Sequence, residues 1–398
     1  MNVKSIQQGR APRRGVLVPL VAVALVAVMG AMALVLDRLW LEMGRVEMRA
    51  ATEASALAAA RELAGDDLLR VNPNPNNRLD AARVKAGLIS QQNLVVGQPL
   101  LLNTSAGQDV RLGVLNTNPD PQLTQFQETD NSPTTAVVIG RRTRSRNNPV
   151  ALFIQGISNA DAADLVVTSE ASIQNQVVGL RPLQGLTIPT FPLGILRTDP
   201  TGQRTDTWEV QIEQRLGKDQ WTWDPEGHTV VSGPDGIPEI VLNIPLTDSG
   251  GTSPNACFLP LANKKIEDVT RTILQGWSET DLQPLGGIVP AGAQSWSTLG
   301  MFIGRADFQE ALNQKLGECR ALFLYDVTAN PIESGTAMIT CTRAVAGRVM
   351  VVSVLSQQSM QIVIQPGVLE TRTAVLASES GSTDSASNPY IYKISLTH

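Results

Sequence analysis

Histidine and cysteine, the side chains that most often supply nucleophilic, acid–base and metal chemistry, are scarce in this chain. Two histidines, His228 and His398, and three cysteines, Cys257, Cys319 and Cys341, are spread through 398 residues. No P-loop, His-Glu-x-x-His, Gly-x-Ser-x-Gly or Cys-x-x-Cys string occurs. A Ser-His-Asp triad would have to use His228 or His398, and the cysteine intervals do not fit zinc ligation. These features predict no enzyme, no catalytic residue, no bound metal and no cofactor. Cys319 and Cys341 each lie in an apolar, strand-like stretch and could face one another as a disulfide. The alternative is three buried thiols acting as small apolar side chains.

Three other groupings could bind something. The segment from Asp224 to Glu239 sets carboxylates among glycines and prolines, which fits either tight turns or a weak calcium site. The run Arg141-Arg142-Thr143-Arg144-Ser145-Arg146 could attract phosphate or acidic polysaccharide, or simply be a solvated strand end. Trp221 and Trp223 share a face if their segment is a strand, which suits core packing or sugar stacking.

The elements that would carry these groups begin with an uncharged run from Val16 to Leu36, preceded by Lys4, Arg10, Arg13 and Arg14. At ~1.5 Å per residue it is long enough to cross a hydrocarbon core of roughly 30 Å. Val16, Leu17, Val21, Leu25, Val28, Leu34 and Leu36 are its expected anchoring residues. Basic charge ahead of the run predicts residues 1–15 in the cytoplasm and the remainder outside. Ala31-Met32-Ala33 would suit signal cleavage, but the apolar run continues past it into a helical pattern, which predicts a retained anchor. From Asp37 to about Leu69 the pattern stays helical, and Ala50 to Ala64 holds eight alanines. Ala50, Ala51, Ala54 and Ala58 could admit another helix at close range, although alanine is also the best helix former.

Beyond Asn72-Pro73, 79–185 reads as a β-rich module opening with a short helix near Leu79. Strands are predicted at Leu100–Asn103, Val110–Val114, Ala136–Arg142, Leu165–Ser172 and Val177–Leu180, with a short helix or turn at Pro149–Gly156. A proline-punctuated link at 181–193 suggests a boundary. A second α+β module, 194–365, would hold helices at Asn263–Leu274 and Arg305–Leu316. Its strands would be Ala321–Asp326, Thr336–Ala344, Arg348–Leu355 and Met360–Gln365. The tail, 366–398, contains a serine-rich flexible linker at 378–388 and a final strand at 390–396. The predicted class is α+β: a long N-terminal transmembrane and amphipathic helix, then β-rich extracytoplasmic modules with a few short helices. Charged residues are 17% and net charge is −5, which offers no nucleic-acid footprint.

Several strings resemble the TadG branch of the TadE/TadG-like proteins of Flp (tight-adherence) pilus assembly. They are Arg13-Arg14-Gly15, Ala-Leu-Val-Leu-Asp-Arg-Leu-Trp-Leu (33–41) and Arg-Val-Glu-Met-Arg-Ala-Ala-Thr-Glu-Ala-Ser-Ala-Leu-Ala-Ala-Ala-Arg (45–61). Asp-Val-Arg-Leu-Gly (109–113), residues 135–153 and Leu-Val-Val-Thr-Ser-Glu-Ala (165–171) extend the resemblance to about residues 13–185. It implies a structural, pseudopilin-like or minor-pilin-like component in the bacterial inner membrane, with its bulk periplasmic. The implied partners are other pilus subunits, the Tad inner-membrane platform and the lipid bilayer. Gly15 matches a leader cleavage site, whereas the fifth residue after it is Leu20 in place of glutamate. No von Willebrand type A Asp-x-Ser-x-Ser string is present. The alternative reading is a membrane-tethered binding or adhesion module recognising glycan or a surface partner.

Overall fold

A computed structural model describes residues 17–116, 125–152, 161–245, 254–259, 266–290, 294–297, 306–326, 338–356, 359–380 and 387–397. The apolar run and the alanine-rich pattern form one continuous helix, α1, Leu17–Leu63. Its 47 residues make a rod about 70 Å long. Pro19 is tolerated because it falls in the first turn, where amide groups have no helical acceptor. A 3-10 turn, Asp66–Leu69, follows α1. Helix α2, Pro75–Gln92, then starts on a proline whose missing N–H costs nothing there. Asn74 caps it by accepting from the Asn76 amide at 3.1 Å. The proline-asparagine stretch that stops one helix therefore starts the next.

The chain divides into two compact units. One comprises Met1–Ser55, Ala86–Val110 and Val137–Ser169; the other comprises Ala56–Lys85, Arg111–Ala136 and Glu170–His398. In the first, Leu94–Val95 and Gln98–Pro99 form a small antiparallel hairpin. Its two loop residues, Val96 and Gly97, both have positive φ, 52° and 71°, as a type I′ turn requires. Met48, Ala51, Val95, Leu100, Val150 and Leu165 make a compact apolar core. Val150–Ala151 is a two-residue strand pairing with Ala162–Ala163, where a helix or turn was predicted; residues 153–156 lie outside the described residues. Leu100–Asn103 is not a strand either. Pairing ends at Pro99, and the amide of Asn103 is taken by the Asp109 carboxylate at 2.8 Å.

In the second unit a mixed sheet holds seven strands among the described residues. Its order is Ile240–Pro245, Ser359–Pro366, Met338–Ser356, Cys319–Tyr325, Thr190–Leu196 and Ala256–Phe258, with Gln294–Ser297 also on Met338–Ser356. Thr190–Leu196 is buried along its whole length, so the proline-punctuated link at 181–193 leads into the interior of a sheet. Helix Ile266–Gln275 packs on that strand and on helix Ala306–Asn313. Trp277 stacks on Phe323 at 5.4 Å and Phe258 meets Phe308 edge-on at 4.6 Å. The two predicted strands on either side of Val345 are one 19-residue strand, because nothing at Val345–Gly347 forces a turn. Elsewhere in this unit Ile391–Thr397 pairs antiparallel with residues 170–174 and parallel with Leu369–Glu370, and residues 113–116 pair with Gln125–Glu128. The overall class is α+β, as predicted.

Of the serine-rich linker expected at 378–388, residues 381–386 lie outside the described residues. Ala377–Ser380 is a helical turn, and Asn388 is buried, donating to the Ala344 carbonyl at 2.8 Å. The predicted Cys319–Cys341 pair is corrected by register. In the Cys319–Tyr325/Met338–Ser356 pairing, Cys319 lies opposite Arg348 and Cys341 opposite Tyr325, at the two ends of the hairpin. All three cysteines are free thiols. Burial pushes the Cys341 thiol up to about 12, which keeps it protonated and inert.

Candidate functional site

Helix α1 is the element with a function that its surface alone announces. Gly15 and Val16 lie outside the described residues, and Leu17 opens the helix. Along the first half, Val18, Val21, Leu25, Val28, Leu34 and Leu36 are 47% to 76% exposed. An apolar surface of that length in water would be a large penalty, and in a bilayer it is the solvent-matched face. This helix is long and apolar enough to cross a membrane.

Past Asp37 the helix has two faces. One is spent on the chain's own fold: Gly44, Met48, Ala51, Thr52 and Ser55 are buried in the first unit, and Ala56, Ala59, Ala60 and Leu63 in the second. Thr52 Oγ1 and Ser169 Oγ are 2.6 Å apart, fixing the rotation of α1 in the first unit. Trp40 Nε1 donates to the Ala151 carbonyl at 3.1 Å. In the second unit, Asp66 just beyond the helix pairs with Arg348 at 2.6 Å and accepts from the Val368 amide at 2.7 Å. The other face is open. Leu36, Leu39, Met43, Val46 and Ala50 follow one another at intervals of three and four and are all exposed.

The four alanines expected to admit another helix therefore separate. Ala51 is wholly buried in its own unit, Ala50 is exposed, and Ala54 and Ala58 are partly exposed between the two faces. Alanine content did not distinguish the faces, since small residues suit both close packing onto a sheet and open helix surface.

Residues 15–62 match the Tad family, described as Flp pilus-assembly TadE/G-like. Over that segment the chain is similar to the TadE/G-like Flp pilus-assembly proteins. The match ends one residue before α1 ends, so the family's mark on this chain is the helix itself. The likeness read further along, to about residue 185, lies beyond the matched segment. No curated protein and no solved structure matches the chain.

The other sequence groupings fall outside α1. In the basic run, Arg146 grips buried Asp109 with both amino groups and Arg141 lies 3.7 Å from the same carboxylate. Arg142 is buried and donates to the carbonyls of Asn148 and Val95. Arg141, Arg142 and Arg146 are thus turned onto the chain's own acceptors, while Arg144 and Ser145 stay exposed. Nothing in its sequence revealed this, because Asp109, its counter-charge, lies more than thirty residues earlier.

In the acidic turns, Asp219 accepts from the amides of Asp235 and Gly236, and Asp235 from Ile237. Glu239 is buried and accepts from the Trp221 amide at 2.7 Å. Burial, with help from Asp219 and Asp235, raises its carboxyl to about 7. The carboxylates are occupied in holding loops, as turn chemistry predicts. Trp221–Asp224 is a strand, and a Cβ on Gly317 would stand 1.9 Å from the Trp223 ring. Trp223 therefore packs against the Gly317 backbone while remaining half-buried.

Proposed function

We propose that this protein is a membrane-anchored structural subunit, pseudopilin-like or minor-pilin-like, of a Tad/Flp-type pilus machine, working by helix association and not by catalysis. The open face of α1 carries the reading. A stripe of Leu36, Leu39, Met43, Val46 and Ala50 runs on from the apolar span at the spacing that one helix uses to seat another. A monomer would shield such a stripe if it had no further use. Ala54 and Ala58 extend it with small side chains. The N-terminus lies in the cytoplasm and the two units lie outside the inner membrane, following the basic leader. The partners are other pilus subunits and the inner-membrane platform on which they assemble.

The test is co-purification of the full-length protein with pilus components after replacing Leu39 and Val46 by glutamate, and separately Ala54 and Ala58 by phenylalanine. Loss of partners with membrane insertion retained supports the reading. Unchanged recovery in both variants removes helix association as the mechanism. A genomic neighbourhood without a secretion ATPase or other small anchored proteins would count against the pilus assignment itself.

A further inference from the structure

In the first unit, Trp40, Val96, Pro99, Leu101, Pro149 and Ala151 supply the apolar lining of a groove of about 530 Å³, which Arg142 also lines. Arg142 is 8% exposed. Its Nε donates to the Asn148 carbonyl at 3.1 Å and its Nη1 to the Val95 carbonyl at 2.5 Å. Both acceptors are neutral, and Nη2 makes no hydrogen bond among the described residues. No carboxylate among them pairs with this guanidinium, although Arg141 and Arg146 share Asp109 close by. A buried cation without a counter-charge is costly, and burial accordingly pushes the Arg142 guanidinium below its ordinary value. The groove offers a preformed cation within an apolar lining.

Its depth says which anion would meet it. Trp40 follows Leu36, the last residue of the apolar run, by four residues, or about 6 Å along the axis. The headgroup layer on each side of a bilayer is about 5–7 Å thick, and tryptophan favours that layer. On the reading that α1 crosses the membrane, on which this inference rests, the groove opens among lipid headgroups. We propose that it binds an anionic phospholipid, the phosphate on Arg142 and the glycerol and upper acyl carbons against Trp40 and Leu101. Gln98 and Asn147, which also line the groove, supply amide groups for a polar headgroup. Such a lipid would neutralise the buried cation and fix the first unit against the membrane surface.

The experiment is native mass spectrometry of the full chain released from nanodiscs of mixed phosphatidylcholine and phosphatidylglycerol. The protein is expected to retain phosphatidylglycerol preferentially, and Arg142→Gln to lower that preference about tenfold. Because Arg142 also ties two loops together, Leu101→Asp is the second variant. Leu101 is 58% exposed and touches none of those bonds, and an added carboxylate at the rim should cut the preference without unfolding the unit. Equal retention of the two lipids, or an unchanged preference in both variants, overturns the proposal. Displacement of the lipid by inorganic phosphate or glycerol phosphate at comparable concentration would assign the groove to a soluble anion and overturn its lipid source. A protein that fails to stay in the discs defeats the anchor reading and this inference together, whereas one that stays without lipid preference defeats only this inference.

Discussion

Val96 Cγ2 fills a notch in α1 that exists because residue 44 is glycine: a Cβ there would stand 2.7 Å from it and 3.2 Å from Leu165 Cδ1. Val96 is a β-branched residue held at φ 52°, a conformation it would not adopt unaided. Two contacts hold it. Its amide donates to the Glu47 carboxylate at 2.6 Å, one turn along α1 from Gly44, and Arg142 holds the carbonyl of the preceding Val95. The hairpin tip is therefore set by α1 and by the arginine that lines the groove.

Replacing Gly44 by leucine should destabilise the first unit by about 1–3 kcal/mol, since neither Val96 nor Leu165 can move without giving up core contacts. Chemical denaturation followed by fluorescence of the detergent-solubilised protein would read the change. The Gly44→Ala variant sharpens the test, because alanine improves helix propensity by about 1 kcal/mol. A net gain in stability from Gly44→Ala would mean the notch is not filled.

Asp109→Asn should cost about 3 kcal/mol or more, the usual penalty for leaving one member of a buried ion pair without the other. Asp109 is wholly buried, accepts from Arg146 at 2.8 Å and from the Asn103 amide, and lies opposite Arg141. Limited proteolysis should then cut the segment around Arg141–Arg146 earlier than in the wild-type protein. Equal resistance would show that the arginines find other acceptors.

The parts of this fold that were legible share a local cause. The anchor, α1, α2 and the strands at 110–116, 135–142 and 165–174 are written in apolar runs and periodicities that need no distant partner. The breaks at Asn72-Pro73 were equally local. What escaped was set by contacts between remote residues. The second half of α1 shows alanines on all sides, and only the strands it meets decide that Ala51 is interior while Ala50 stays open. Arg142 differs from Arg141 and Arg144 by nothing in its own neighbourhood, only by the strand face on which it lands. The disulfide expectation failed for the same reason, since the hairpin register that parts Cys319 from Cys341 is fixed by pairing along the whole strand.

Gly317→Ala should be severe for its size, costing about 2–4 kcal/mol. Gly317 has φ 75°, and the added Cβ would enter the Trp223 ring at 1.9 Å. The same contact bears on glycan recognition. Trp223 is half-buried with its ring against the Gly317 backbone, which leaves little room for stacking, so soluble oligosaccharides should leave Trp223 emission unchanged in a protein whose other five tryptophans are replaced by phenylalanine. Quenching by sugar would favour the adhesion reading.

Glu239 gives the fold a pH dependence opposite to that of most carboxylates. Its side chain is 2% exposed, packed near Asp219 and Asp235, and its carboxyl titrates at about 7 against an ordinary 4.5. The folded chain thus holds a proton there that the unfolded chain has already released. Between pH 4.5 and 7 the folded state binds more protons than the unfolded state, so stability falls as pH rises through that window. The penalty is complete above it, at most about 3 kcal/mol. Glu239→Gln keeps a carbonyl for the Trp221 and Gln220 amides that Glu239 now satisfies, and carries no charge. The variant should match wild type near pH 5 and exceed it at pH 8, with the difference appearing across the neutral range in denaturant melts. If the two curves instead run parallel from pH 5 to 8, Glu239 is ionised throughout and the carboxylate cluster is already compensated within the fold.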